Sequence, residues 1–451
     1  MKVRRLRFID NISGLQIFQL LKFTVFLIVS IVFTKSHLTR AEIGSWEMFL
    51  FISGLITFFW VTGIIQSLLP LYHRNKTFRR FGETKKRKSP EIFNAFLLIC
   101  FFSLLFFALG HSIKNSVSVF RFSGNVPYIN LLLLYIMLSS PVCLIEYIYL
   151  LNNRAYRILQ YALYTFSAQL ALIILPVLLG KDIIWSIYGL LAITFVRWVW
   201  LIILLRRYTE IRVSWEFMKE HLYLGMPLII TTLISGSAQY VDGIIVSSVY
   251  QDPAIFAWFR YGAKEFPLVL LLANGLSNAM LPEFSTRSMM KESLAKIKLK
   301  SKKLMHLLFP MIMVIMLFAR WFYPRLFNPE FHKSAGIFMV YSLLIIPRLV
   351  FPQTIVVGRK KTNVTLIAAL IEIAINVPLS LLMIKWGYGI VGVARSTFIV
   401  YCIGKMILVG YVWVKMKIKP TEYIPLKIFT IYSILLTIIF ILVDKGIINI
   451  R

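Results

Sequence analysis

The chain has 451 residues, 59% of them hydrophobic, a mean hydropathy of +0.76 and a formal net charge of +31. Soluble domains are nearer half apolar, and apolar runs of membrane-spanning length recur here from end to end. This is the composition of a polytopic helical membrane protein. No stretch between the runs could carry a nucleic-acid-binding module, so the basic excess belongs to membrane topology and to residues within the spans.

The start, MKVRRLR before an apolar run, resembles a signal peptide. The run to Phe33 is too long for one, contains Lys22 and lacks a small-x-small cleavage site, so it reads as a retained first span. Spans are predicted at 11–34, 43–72, 91–112, 126–151, 156–180, 182–206, 220–248, 254–282, 303–325, 335–358, 362–384, 388–414 and 424–443. The apolar period along them is not two, which argues against a membrane β-barrel. The pair divided only at Gly180-Lys181-Asp182 is the least clearly separated.

Loop charge tests this count, because cytoplasmic loops collect Lys and Arg. Alternate loops are rich: Lys2 to Arg7, Arg74–Lys88, Arg154 and Arg157, Arg206 to Lys219, Arg287–Lys303, Arg359 to Lys361 and Lys415 to Lys419. The others hold few, such as Lys35, Lys181 and Lys385. The alternation puts the N-terminus in the cytoplasm and, with thirteen spans, Arg451 outside. In the segment Arg287–Lys303, Met289, Met290, Leu294 and Ile297 lie among lysines, the pattern of an amphipathic helix on the inner membrane surface.

The first two spans recur later. Ser67-Leu68-Leu69-Pro70 ends the second as Ala279-Met280-Leu281-Pro282 ends the eighth, an offset of 282 − 70 = 212. At that offset the two long basic segments coincide, and so do the spans beginning near Glu91 and Lys303. The fold class is therefore all-α and polytopic: two pseudo-symmetric six-helix bundles, 1–210 and 211–418, with an extra C-terminal transmembrane helix in 419–451. Such repeats mark secondary transporters.

Several spans carry polar residues that lipid would reject. In the seventh, Thr231, Ser235, Gln239 and Asp242 fall on one helical face. In the eighth, Arg260, Lys264, Pro267, Asn274 and Asn278 do the same. This pair reads as the wall of a polar cavity. Glu47, Arg320, Arg395 and Lys405 lie near span ends, where a long side chain can snorkel to the interface. Glu146, Glu265 and Glu372 fit structural ion pairs equally well, and Asp242 fits a helix-packing contact. Lys22, Arg260, Lys264 and Arg348 are different. They lie well inside spans with no acid three or four positions away, and Arg348 sits between Pro347 and Pro352, where the helix should kink. The central charges are thus mostly cationic, which suits an anion such as a phosphate or diphosphate and opposes a cationic drug.

No phosphate-binding Gly-rich loop occurs, and the six histidines and three cysteines lack metal-ligand spacing. No acidic pair or large outer loop offers a site for sugar transfer. The chain is read as a non-enzyme without cofactor or metal.

Glu42-Ile43-Gly44, the helix running to Leu69-Pro70, Gly225-Met226-Pro227, the Asp242 segment and Leu281-Pro282 together carry a resemblance. Over residues 8–415 the chain resembles the polysaccharide-transporter branch of the multidrug/oligosaccharidyl-lipid/polysaccharide exporter superfamily, the O-antigen-type flippases. The resemblance implies two six-helix bundles in a V around a central cavity, alternating access in the bacterial inner membrane, and a substrate of undecaprenyl-pyrophosphate-linked oligosaccharide. Lys22, Arg260, Lys264, Arg348, Asn274 and Asn278 would then bind the head group, and Asp242, Glu146 or Glu372 would couple an ion. The partners implied are the lipid-linked oligosaccharide, membrane lipids, and the polysaccharide polymerase with its chain-length machinery. Thirteen spans depart from the even number usual in that family. A peptidoglycan-precursor flippase, a drug/cation antiporter and a membrane polysaccharide polymerase are the alternatives.

Overall fold

The structure, a computed structural model, describes residues 11–80, 90–113, 126–285, 290–359 and 361–448. Every regular element among them is helical. In chain order these are α1 (Asn11–Thr34), α2 (Arg40–Arg80), α3 (Glu91–Ile113), α4 (Ile129–Val142), α5 (Leu144–Leu151), α6 (Ala155–Leu178), α7 (Ile183–Tyr208), α8 (Trp215–Tyr250), α9 (Pro253–Gly262) and α10 (Pro267–Met280). There follow α11 (Met290–Leu326), α12 (His332–Ser342), α13 (Ile345–Arg348), α14 (Pro352–Gly358), α15 (Thr362–Met383), α16 (Gly389–Val414), α17 (Pro420–Tyr423) and α18 (Leu426–Asp444). The chain is a multi-pass membrane protein.

Among the described residues ten helical stretches are long and apolar enough to cross a membrane, eleven if the bent pair Pro329–Arg348 and Pro352–Gly358 is one span. The thirteen predicted spans exceed this for two physical reasons. Residues 362–414 form one helical stretch, yet Gly387 at φ +86° breaks it and α15 packs along α16. The span predicted at 254–282 is two short helices, α9 and α10, with 263–266 non-helical between them. Pro267 has no N–H to give the preceding turn and drives Phe266 to extended backbone, φ −64° and ψ 117°. The face that joined Arg260 and Lys264 to Asn274 and Asn278 assumed one continuous helix and does not exist as such.

Two compact units divide the chain, Met1–Gly236 and Ser237–Arg451, with the boundary inside α8. In the first unit α1 lies along α6, α6 along α7, and α3 and α7 both along α4. Phe18, Trp60, Ile145 and Tyr161 are buried at its centre, and Trp60 stacks on Phe106 with ring centroids 5.5 Å apart. Asn94 of α3 fastens the α7–α8 connection: its Nδ2 donates to the Arg212 carbonyl at 2.9 Å and its Oδ1 accepts from the Ser214 N–H at 2.8 Å. The α6–α7 pair turns at Gly180, whose φ of +74° is costly for other residues. Above the turn the backbones nearly touch. A Cβ at Gly189 would lie 2.1 Å from the Leu172 carbonyl oxygen, and Ser186 Oγ donates to the Ile173 carbonyl at 2.8 Å. Small residues at such crossings let membrane helices pack closely. Gly189→Ala is therefore expected to cost about 1–3 kcal/mol; thermal unfolding in detergent checks it, and an unchanged midpoint would contradict the close approach.

In the second unit α15 lies along α16, α9 and α11 along α12, and α18 along α11. Phe309 of α11 stacks on Tyr432 of α18 at 5.3 Å, and His306 shares a 2.9 Å hydrogen bond with the Tyr432 hydroxyl. Arg395 Nη2 donates to Asp444 Oδ2 at 2.9 Å and Arg320 Nη2 to the Asp444 carbonyl at 2.8 Å, so both arginines hold the end of α18.

The basic segments differ from expectation. Residues Arg74 to Arg80 continue α2 rather than opening a loop, and 81–89 lie outside the described residues, as do the basic N-terminus and Arg287 to Met289. The segment expected to float on the membrane surface forms the first turns of α11. Its apolar face, Leu294 and Ile297, is buried in the protein, and Ser301 Oγ donates to the Leu349 carbonyl at 3.0 Å. Lys296 pairs with Glu283.

Candidate functional site

Among the described residues three polar clusters sit within the spans, one in the first unit and two in the second. The fullest is built on Asp242, whose side chain is buried in α8. Tyr341 of α12 donates its hydroxyl to Oδ2, as does Thr397 of α16 at 2.6 Å, and Asn376 of α15 donates Nδ2 to Oδ1 at 3.0 Å. Asn376 is itself oriented, because its Oδ1 accepts from Ser380 and Ser396 at 3.0 Å each. A carboxylate only accepts, and here three donors from three helices converge on one. The arrangement can hold a negative charge in apolar surroundings, or exchange it for a bound proton or cation.

The second cluster begins at Arg348. Its Nε donates to Glu265 Oε2 at 3.0 Å and its Nη2 to Oε1 at 2.6 Å, a two-pronged pair. The guanidinium lies over the Tyr401 ring at 4.7 Å. Lys405, one turn further along α16, is 8% exposed; its Nζ donates to Gln353 Oε1 at 2.6 Å and to the Val350 carbonyl at 3.4 Å. Glu372 of α15 feels both cations and lies on the bare backbone of Gly404, where a Cβ would come within 1.7 Å of its Oε1. Lys405 was expected to snorkel, but the α13–α14 break supplies the two oxygens that hold it inside.

In the first unit Glu146 of α5 is 9% exposed and lies in the field of Lys22 and Arg197. Arg197 Nη2 donates to Gln169 Oε1 at 2.7 Å, with the guanidinium 5.3 Å from the Phe166 ring centroid. Gln169 is buried on α6 and Arg197 half-buried on α7.

The structure thus places Glu146 in the field of Lys22, Arg348 in the field of Glu372, and Tyr341 in the field of Arg260. Lys264 Nζ lies 4.6 Å from the Tyr261 ring centroid. Asn274 and Asn278 are exposed on α10, outside these clusters. Tyr341, Asn376, Thr397, Tyr401 and Gln353 are not among the residues the sequence singles out, because they are neutral and scattered through apolar spans, apart from the polar faces around Asp242 and Arg260. Among the described residues no group of His, Cys, Asp and Glu could hold a metal ion.

Comparison with known families decides the broad assignment. Residues 38–336, about two thirds of the chain, match the model of the polysaccharide biosynthesis protein family. The chain belongs to that family. Comparison with curated protein sequences finds no match. Among solved structures, the lipid II flippase MurJ in an inward closed conformation superposes with a TM-score of 0.71 at 17% identity, covering 96% of this chain and 94% of that one. An inward-facing multidrug resistance MATE family transporter of the MOP superfamily gives 0.63 at 15% identity, over 91% of this chain and 98% of that one. The family member has the fold of these transporters, in the setting of polysaccharide biosynthesis.

Proposed function

We propose that this transporter is a flippase, moving undecaprenyl-pyrophosphate-linked oligosaccharide repeat units across the bacterial inner membrane by alternating access for surface polysaccharide synthesis. The observation that carries the reading is the set of cations within spans, Lys22, Arg260, Lys264 and Arg348, in a polysaccharide biosynthesis family member. A charge in the bilayer is costly and marks a substrate path, and guanidinium and ammonium groups match phosphate oxygens. Lys22 in the first unit, and Arg260, Lys264 and Arg348 in the second, are head-group-binding cations, with Asn274 and Asn278 toward the sugar, while the polyprenyl tail stays in lipid. Asp242, with Glu146 and Glu372, couples an ion to the cycle. The N-terminus is cytoplasmic by the loop-charge alternation, and the repeats pass to a polysaccharide polymerase and its chain-length machinery.

A second reading, a peptidoglycan-precursor flippase, is favoured by the likeness to the lipid II flippase, since both substrates are polyprenyl diphosphates. Replacing Arg260 and Lys264 together with alanine is expected to abolish export while the protein remains folded and in the membrane. Normal export by that double variant would sink the assignment of these residues.

A further inference from the structure

Glu265 and Arg348 sit where two neighbouring spans are both interrupted. Glu265 lies in the non-helical 263–266 between α9 and α10. Arg348 ends α13, before the gap at 349–351 across which the span bends by 50°. The half-spans on one side of the breaks are fastened to each other. A Cβ at Gly262 of α9 would meet the Ser334 carbonyl oxygen of α12 at 2.5 Å, and Ser334 Oγ donates to the Trp258 carbonyl at 2.8 Å. The half-spans on the other side are fastened as well: Ser277 of α10 and Thr354 of α14 share a hydroxyl hydrogen bond of 2.7 Å. The Glu265–Arg348 bridge joins the two breaks at the level where these fastened pairs meet.

Two features make the bridge suited to exchange rather than to permanent closure. Its fork geometry is one a phosphate reproduces, since a guanidinium binds carboxylate and phosphate with the same two N–H groups. The side chains of Arg348 and Glu265 also keep 22% and 18% of their surface open, so a ligand can approach. Tyr401 holds the guanidinium from its face and the Glu372 side chain lies in its field, so Arg348 stays in place when the Glu265 carboxylate leaves.

We propose that Glu265 is a positioning residue whose carboxylate occupies the phosphate place on Arg348, and that an arriving diphosphate displaces it and uncouples α9–α12 from α10–α14. The identity of the ligand rests on the flippase reading; the uncoupling does not. A ligand shifts an equilibrium by its preference for one state. A diphosphate gains Arg348 only in the state where Glu265 has let go, and the short segments 263–266 and 349–351 then absorb the backbone change as hinges do.

The test uses the purified full chain in lipid nanodiscs, with geranyl diphosphate as probe. Hydrogen–deuterium exchange is followed over 259–270 and 345–353, and probe affinity is measured alongside. Glu265→Gln is expected to raise exchange in both stretches without ligand and to tighten probe binding about tenfold, the size of one charge-assisted contact no longer competed for. Probe added to the wild type should raise exchange in the same stretches. A residue serving structure alone would weaken binding when replaced, so tighter binding separates the two roles. Glu265→Asp, which keeps the charge on a shorter arm, should shift both readouts the same way by less, and serves if the glutamine variant folds poorly. Unchanged exchange, or unchanged or weaker affinity in both variants, overturns the proposal. Tighter probe binding by Glu265→Gln, in a protein whose absence leaves lipid-linked repeats crossing normally, would uphold the exchange and discard the flippase substrate.

Discussion

Asp242→Asn is expected to lower transport about a hundredfold, the upper range of a coupling free energy between sites, while leaving a folded protein. The substitution keeps the shape but turns one of two accepting oxygens into a donor. Tyr341, Thr397 and Asn376 all donate to that carboxylate, so at least one donor then faces another. Polar contacts between membrane helices average about 0.6 kcal/mol and reach about 1.7, so the cost in stability is of that order. Loss of the ionisable group is complete, however, and with it any proton or cation that moves with the cycle. Transport into proteoliposomes and thermal unfolding, measured on one preparation, separate the two effects. Wild-type transport by Asp242→Asn would reduce the cluster to helix packing.

Arg348→Ala is expected to destabilise the second unit strongly. It leaves Glu265 without the cation that takes both its oxygens, and removing one partner of a buried pair costs about 3–5 kcal/mol. Both side chains retain some solvent access, which places the loss toward the lower end. The double variant Glu265→Ala/Arg348→Ala should recover part of it, since no charge is then stranded. Unfolding midpoints of the two single variants and the double variant close this cycle. Strictly additive losses would mean that the bridge carries no coupling.

The architecture was legible because it rests on apolar length and loop charge, which are properties of single segments. Pro347 and Pro352 marked the kink correctly, for proline interrupts a helix wherever it falls. Pro267 carries the same signal, but averaging hydropathy across 254–282 favours one continuous span; the structure breaks there. Lys405 shows the limit of reading distance to a helix end. Snorkelling was inferred from sequence position, but Val350 and Gln353 come from another span and only the fold brings them to the ammonium. Neutral members of the clusters were less legible still. Thr231 and Thr397 are the same residue type in apolar spans, yet Thr231 bonds its own helix at the Pro227 carbonyl while Thr397 reaches Asp242. Residue type does not separate these uses. Arg348 illustrates the converse: no acid lies within one helical turn of it in the sequence, and its partner lies 83 positions away.

If this protein carries a lipid-linked oligosaccharide across the membrane, its loss must strand that lipid on one side. The most direct measurement extracts undecaprenyl-linked intermediates from a strain lacking the protein and determines which side of the inner membrane they occupy. Complete repeat units accumulating on the cytoplasmic face, and cleared when the gene is restored, is the expected result and also identifies the sugar. Repeats that cross normally and remain unpolymerised outside would contradict it.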